Sequence, residues 1–301
     1  MNLTSWKMEN RGNLNRQLSN IEKMPKDAQL VTKAIELVIN AMMKRVMDNV
    51  LYNDPFVAES HRAAKPLYAA LVPDEIFKGS HFERRFVTPF GGVWEKLAVV
   101  AAEAGLGYAV KGHAITSNIR KDRLKRIQEV LNRLEHGVKG ETRVRPNWGK
   151  ELAYIMAGKG LLMPTTVVCD IFAKDIVTQK RFAFELKAPL PNSDQTKVSK
   201  EKIFKLYAME PSAIDGAFYA LPYNPYGKKE DYAWTFPARW FDMKADPVVL
   251  IGDEFWDMLG GPGTYQLFIK EVNALGKAYR ERIYTEYLGI EPPAGAENVK
   301  I

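Results

Sequence analysis

Two consecutive apolar segments near the middle of the chain constrain the fold more than any other feature. Residues 165–172 (T-T-V-V-C-D-I-F) are rich in β-branched side chains, and residues 181–187 (R-F-A-F-E-L-K) form a second short apolar run. A polar stretch, residues 174–180, separates them. Short apolar runs of this type, bounded by polar turn residues, are typical of β-strands. The pattern therefore predicts two paired strands joined as a hairpin.

Each predicted strand carries charged side chains where an apolar one would be expected. Side chains alternate along a strand, so Glu185 and Lys187 share one face while Phe184 and Leu186 point to the other. Asp170 interrupts the preceding strand in the same way. Charges on buried strands are costly unless they are paired or bind a ligand. If the two strands pair, the three charged groups can converge.

These residue types suit metal-dependent cleavage of a phosphodiester. Two carboxylates, Asp170 and Glu185, can bind Mg²⁺, and the backbone carbonyl of Leu186 can complete the ligand set. A neighbouring ammonium, that of Lys187, can stabilise the charge that develops on the phosphate. Glu185-Leu186-Lys187 is the only E-x-K tripeptide in the chain. An exposed ion pair at a strand end is the alternative explanation.

The rest of the pattern predicts an α/β fold with a central mixed sheet flanked by helices. Residues 1–80 are assigned to a helical N-terminal region and residues 81–301 to the core with C-terminal helices, forming one compact domain overall. A short extended stretch is expected after Gly107, and a helix is expected from about Gly92. The other expected helices are 27–53, 119–135, 197–209, 253–259 and 264–288, and the other expected strands are 217–221 and 247–251.

Charge and composition limit the class of partner. The net charge is +7, and residues 111–150 contain eleven Lys/Arg against four Asp/Glu, so the basic excess is concentrated there. Such a region suits contacts with nucleic-acid phosphates. The single cysteine, Cys169, excludes an internal disulfide. No signal peptide and no run of about 20 apolar residues is visible, so a cytoplasmic protein without membrane contact is expected.

Two groups of polar residues are candidates for contacts with DNA. One lies in the loop and helix directly after the second strand, which are dense in amides, hydroxyls and lysines. It comprises Asn192, Gln195, Lys197, Ser199 and Lys200. The other comprises Arg123 and Arg126, from the amphipathic helix 119–135. A loop that caps the next helix explains the first group nearly as well, and the solvated face of a helix explains the second.

Several segments also resemble a known family. Residues 184–192 (F-E-L-K-A-P-L-P-N) resemble the PD-(D/E)XK site of type II restriction endonucleases, although Cys169 stands where the motif has proline. Residues 223–227 (Y-N-P-Y-G) and 249–261 (V-L-I-G-D-E-F-W-D-M-L-G-G) are similar to the C-terminal half of TdeIII-like enzymes.

The resemblance implies a restriction-endonuclease-like core, double-stranded DNA as substrate, Mg²⁺ as cofactor and products with 5′-phosphates. It further implies GGNCC as the target, a homodimer, and a cognate methyltransferase as functional partner. Asp170 and Glu185 would be the metal ligands and Lys187 the catalytic lysine.

Glu95 is a further catalytic candidate on the same basis. Residues 82–95 resemble the helix that carries an extra acidic residue in many such nucleases, with Gly91 and Gly92 at its expected start. A solvent-exposed helical glutamate is an equally good explanation. A repair or junction-resolving nuclease with the same core, and a non-catalytic DNA-binding protein, are the alternatives to a restriction enzyme.

Overall fold

The structure is a computed structural model that describes residues 28–137 and 144–295. Its contacts divide the chain into two units. The sheet unit comprises Ala98–Tyr265, and the helical unit comprises Gln29–Leu97 together with the residues from Gln266 onward. The C-terminal helix therefore groups with the N-terminal helices, whereas the sequence-based division placed everything after residue 80 in one core.

The sheet unit is built on a six-stranded mixed sheet. Its strands are β1 (Gly107–Arg120), β2 (Leu162–Asp175), β3 (Arg181–Leu186), β4 (Met209–Glu210), β5 (Gly216–Leu221) and β6 (Val249–Ile251). They are arranged in the order β4-β1-β2-β3-β5-β6. Neighbours from β4 to β3 are antiparallel, whereas β3, β5 and β6 are parallel. The expected mixed sheet with flanking helices is confirmed.

The predicted hairpin is confirmed, and its register positions the polar side chains. Phe172 pairs with Ala183, and Ile171 pairs with Phe184. The prediction of only a short extended stretch after Gly107 was wrong, because β1 has 14 residues and pairs with β2 along its whole length. Polar residues recur along β1, so the alternation of apolar and polar side chains is weak. The segment becomes a strand because it pairs with β2, and not because of its local sequence pattern.

Helices cover the sheet and enclose one apolar core. They are α5 (Lys121–His136), α6 (Trp148–Met156), α7 (Ser193–Ala208) and α8 (Asp253–Gly260). Ile127 and Leu131 of α5 meet Ile203 and Phe204 of α7 and Tyr219 of β5 in this core. α7 begins earlier than the expected residue 197 because Asn192 caps it, and its side-chain oxygen accepts a hydrogen bond from the Gln195 amide.

The helical unit contains the predicted N-terminal helices. They are α1 (Ala28–Asp48), followed by a π-helical turn (Asn49–Asn53), then α2 (Ala58–Ala64) and α3 (Pro66–Ala69). The remaining α-helices of the described residues are α4 (Asp74–Leu106) and α9 (Thr264–Arg282), the latter followed by a second π-helical turn (Ile283–Leu288). Residues 98–106 of α4 and the first two residues of α9 belong to the sheet unit. Among the described residues, no helix has the length and apolarity needed to cross a bilayer.

The expectation that a helix begins at Gly92 was wrong. α4 begins at Asp74, directly after Pro73, and Gly91 and Gly92 lie in its interior. A Cβ added at either glycine would meet nothing within 4 Å, so no close approach of another group explains them. Glycine inside a helix costs about 1 kcal/mol relative to alanine. The burial of apolar residues such as Val93 and Leu97 offsets that cost.

Candidate active site

The three charged residues of the hairpin converge on one nitrogen atom. Lys187 Nζ donates to Asp170 Oδ2 at 2.6 Å and lies 3.5 Å from Glu185 Oε2. It also donates to the Leu186 carbonyl at 3.0 Å. Both carboxylates and the intervening carbonyl therefore lie within 3.5 Å of a single ammonium group.

The strand register explains this convergence. Asp170 and Glu185 each lie two residues from the Phe172–Ala183 pair, in the same direction, so alternation places both on one side of the sheet. The described pairing of β2 with β3 ends at Ile171, and beyond it the Leu186 amide donates to Asp170 Oδ2 at 2.9 Å. The Asp170 carboxylate thus takes the place of a backbone carbonyl as the acceptor. It fixes the backbone of Leu186, the residue between Glu185 and Lys187.

Glu185 is the buried member of the site. Its side chain is 1% exposed, while those of Asp170 and Lys187 are about one-fifth exposed. Burial raises the pKa of the Glu185 carboxyl, and the nearby Asp170 charge raises it further, while Lys187 and Lys202 act in the opposite direction. A buried carboxylate needs cations close by to remain ionised, and this one has two.

Lys202 is a residue of the site that the sequence pattern did not indicate. It lies on α7, and its Nζ donates to both carboxylate oxygens of Glu185, at 2.9 and 3.0 Å. α7 carries four lysines, and their charge alone does not indicate which one faces the site. Lys202 lies between Ser199 and Ile203, which are both buried, but the sequence alone does not show that Ser199 is buried.

Cys169, which stands in the place of the motif's proline, is inert. Its side chain is fully buried, and its thiol donates to the His113 carbonyl at 3.4 Å. Burial raises the pKa of the Cys169 thiol to about 12, and the negative charge of Glu185 contributes. The thiol therefore stays protonated near neutral pH and is neither a nucleophile nor a metal ligand.

The donor set of the site is made of oxygen atoms. Two carboxylates and one carbonyl suit a hard divalent cation such as Mg²⁺, which keeps several waters. Across residues 28–137 and 144–295, no group of three or more His, Cys, Asp or Glu is arranged to hold a metal ion. A nitrogen- and sulfur-rich zinc site therefore does not fit the described residues, whereas a site with two carboxylates and bound waters does.

Two of the predicted DNA contacts have side chains that are not accessible to DNA in this fold. Lys200 and Ser199 have no exposed surface. Lys200 Nζ donates to Glu151 Oε2 at 2.6 Å and to the Trp240 carbonyl. Ser199 Oγ donates to the Gln195 carbonyl at 3.1 Å. Both residues lie on the face of α7 that packs into the core, which the lysine-rich sequence concealed.

The five other predicted DNA contacts differ in whether their side chains already have partners within the fold. Asn192 caps α7, and Gln195 is exposed. Lys197 pairs with Glu135 at 2.6 Å. Arg123 donates to the Ala208 carbonyl at 3.1 Å, and Arg126 donates to the Tyr154 carbonyl at 2.7 Å. These five stay predictions, and both arginines already have partners within the fold.

Glu95 lies on α4, in the part of that helix that belongs to the helical unit, and is half-buried. The sheet unit contains Asp170, Glu185 and Lys187. A catalytic role for Glu95 stays a prediction that depends on the resemblance alone.

Comparison with known proteins identifies the family. The model of the family described as "Type II restriction endonuclease, HinfI" matches residues 31–276. The chain belongs to the HinfI family of type II restriction endonucleases. That match covers most of the chain and both units, so the expected restriction endonuclease is confirmed at this level. The finer resemblance to TdeIII-like enzymes stays a prediction.

Curated relatives of this HinfI-family chain come from Herpetosiphon aurantiacus. The chain is 27% identical to the type II restriction enzyme HgiEI and 26% identical to HgiBI, in each case over 229 residues that cover 74% of this chain and 81% of the relative. It is 24% identical to HgiCII over the same length. The mixed sheet with flanking helices is consistent with a restriction-endonuclease-like α/β fold, and the family implies that DNA is bound.

The sheet unit of this restriction endonuclease also contains a cleft of about 980 Å³. Its lining includes Arg145, Arg239 and Lys244, and none of the three side chains forms an ion pair with a described residue. The acidic side chain in the lining, Asp242, accepts backbone hydrogen bonds within its own turn. Trp234, also in the lining, donates from Nε1 to the Pro191 carbonyl at 2.8 Å. The cleft wall is thereby attached to the loop that follows Lys187.

Proposed function

We propose that this restriction endonuclease hydrolyses double-stranded DNA at a PD-(D/E)XK site formed by Asp170, Glu185 and Lys187, with Mg²⁺ as cofactor. The observation that carries the proposal is the meeting of two carboxylates from adjacent strands at one ammonium group. Within a nuclease family, such a set is suited to binding a divalent cation and to stabilising a charged phosphate.

The residues of the site would have two separate roles, metal binding and stabilisation of the phosphate charge. Asp170, Glu185 and the Leu186 carbonyl would hold Mg²⁺, which when bound supplies Lewis-acid stabilisation and an acidified water. Lys187 is positioned by Asp170 and by the Leu186 carbonyl, so its ammonium is held beside the place where a scissile phosphate would lie. Its charge would stabilise the negative charge that grows on the phosphate oxygens.

The target and the partners are the finer part of the proposal. A short palindrome, GGNCC, is the target that the resemblance implies, with cleavage that leaves 5′-phosphates. A homodimer would match the two-fold symmetry of such a site. A cognate methyltransferase would protect the host DNA. The relatives are described only as type II restriction enzymes, so they support the class of enzyme and leave the target as a proposal.

The backbone of the DNA would run along the cleft in the sheet unit. Arg145, Arg239 and Lys244 are cations without ion-pair partners among the described residues, and phosphate groups would supply those partners. Tyr232 and Trp234 of the cleft region donate to the carbonyls of Pro189 and Pro191. These bonds would connect DNA bound in the cleft to the position of the catalytic loop.

Digestion of a plasmid with Mg²⁺, followed by sequencing of the fragment ends, tests the proposed reaction. We expect discrete ends with 5′-phosphates at GGNCC and no cleavage in EDTA. Discrete ends at another palindrome would reject GGNCC and keep the reaction. Random ends, or equal cleavage with and without divalent cations, would contradict the proposed chemistry.

Charge removal in the cleft tests the proposed DNA path. We expect Arg145→Ala/Arg239→Ala/Lys244→Ala to weaken DNA binding and to make the dependence of log Kd on log salt shallower by about 3, because each phosphate contact contributes roughly 0.9. Fluorescence anisotropy with Ca²⁺ at several salt concentrations would measure both effects. The control removes three exposed lysines outside the cleft, Lys159, Lys180 and Lys228, each changed to alanine. Equal losses in both triple variants would reject the cleft as the binding path.

A further inference from the structure

We infer that Lys202 is the internal counter-ion of Glu185 and that a divalent metal must displace it to bind there. This inference deepens the proposed function and rests on it in one respect, namely that Glu185 is a metal ligand. It assigns to Lys202 a positioning role: the residue holds the carboxylate in place before the metal arrives and sets how tightly the metal is bound.

The contacts of Glu185 support this assignment. Its side chain is 1% exposed, so water cannot compensate its charge. Lys202 Nζ lies almost equally far from the two carboxylate oxygens, at 2.9 and 3.0 Å. Lys187 Nζ is farther away, at 3.5 Å from Oε2, and its shorter bond is to Asp170. Lys202 is therefore the principal partner of Glu185, and Lys187 the principal partner of Asp170.

The Lys202 ammonium and a divalent metal ion would compete for the Glu185 carboxylate. An ammonium that bridges both oxygens of a carboxylate occupies the position of a metal ion bound to both of them. A divalent cation bound at Glu185 would also repel a positive charge a few ångströms away. Metal binding and the Lys202–Glu185 contact are therefore mutually unfavourable, and the linkage between them is reciprocal.

Lys202 is able to leave Glu185 without movement of its backbone. Its side chain is 30% exposed, so a rotamer change brings the ammonium into solvent. α7 itself is held in the apolar core by buried residues such as Ile203 and Phe204. The exchange of lysine for metal is then a local side-chain event rather than a change of fold.

The test is a Ca²⁺ titration of the 301-residue chain without DNA. Calorimetry would measure the Ca²⁺ affinity, and thermal unfolding would measure the stability. We expect Lys202→Met to bind Ca²⁺ about 5- to 150-fold more tightly than the unmodified protein, the usual range of such couplings. In EDTA the same variant should unfold at a lower temperature, and Ca²⁺ should raise its unfolding temperature more than it raises that of the unmodified protein. Lys202→Gln, which keeps a hydrogen-bond donor without the charge, should bind Ca²⁺ with intermediate affinity.

Lys205→Met is the matched control. Lys205 lies on the same helix, its side chain is 29% exposed, and it pairs with Glu201 at 2.7 Å on the surface. Its removal should leave Ca²⁺ affinity unchanged. Unchanged or weaker Ca²⁺ binding in both Lys202 variants would overturn the inference.

Glu185→Gln separates failure of this inference from failure of the proposed function. If Ca²⁺ binds equally well to Glu185→Gln and to the unmodified protein, Glu185 is not a metal ligand, and both proposals fall. If Glu185→Gln abolishes Ca²⁺ binding while Lys202→Met leaves the affinity unchanged, only the role of Lys202 is rejected.

Discussion

Replacement of Lys187 by methionine is expected to lower the rate of DNA cleavage by roughly 10²–10³-fold while DNA binding is kept. Methionine preserves most of the side-chain volume and removes the ammonium that contacts both Asp170 and the Leu186 carbonyl. The lost interaction is one that strengthens as charge develops on the phosphate, so kcat should fall far more than the affinity for DNA. Single-turnover cleavage with Mg²⁺ and anisotropy with Ca²⁺ would measure the two quantities.

Lys180→Met provides the control for this experiment. Lys180 directly precedes β3 and is exposed, so the variant removes the same charge close to the same strand but away from the site. It should cleave at the unmodified rate. A Lys187→Met enzyme that cleaves within a fewfold of that rate, or one that loses cleavage and DNA affinity equally, would contradict the catalytic role of Lys187.

The second large effect is a loss of stability, which we expect when the buried ion pair of Lys200 and Glu151 is broken. Desolvation lowers the pKa of Lys200, and Glu151 opposes this shift. Lys200→Met would leave a largely buried carboxylate without its cation and the Trp240 carbonyl without a donor. Loss of one partner of a buried pair typically costs 3–5 kcal/mol, so urea denaturation should show a decrease of about that size in the free energy of unfolding.

A double variant distinguishes the ion pair from simple packing. Lys200→Met/Glu151→Leu removes both charges, and apolar replacement of a whole buried pair is often nearly neutral, so the double variant should be more stable than Lys200→Met alone. Lys205→Met, which breaks an ion pair on the surface of the same helix, should cost about 1 kcal/mol or less. Additive losses in the double variant would show that the charges do not depend on each other.

The hairpin could be predicted from the sequence because its signal is local. Alternation along residues 181–187 separates Glu185 and Lys187 from Phe184 and Leu186, whatever the rest of the chain does. The apolar character of both strands requires pairing, and pairing brings Asp170 to the same place. β1 could not be predicted at its full length, because its polar residues become a strand only through pairing with β2.

The lysines of α7 show the opposite case. Lys197, Lys200, Lys202 and Lys205 have the same chemistry and follow one another within three turns of helix. The structure directs them to four different partners, namely Glu135, Glu151, Glu185 and Glu201. Lys197 and Lys200 were predicted to contact DNA and Lys202 was not singled out, because a charged residue carries no local sign of the direction in which it will point.

The sequence by itself thus determined the mixed sheet, the strand pair and the three charged residues that meet on it, because strand alternation acts over a few residues. The tertiary structure alone decided which cations belong to the core, to the site or to the cleft. The rotation of each helix about its axis depends on packing against distant segments, and this rotation determines whether a lysine meets a buried carboxylate or water.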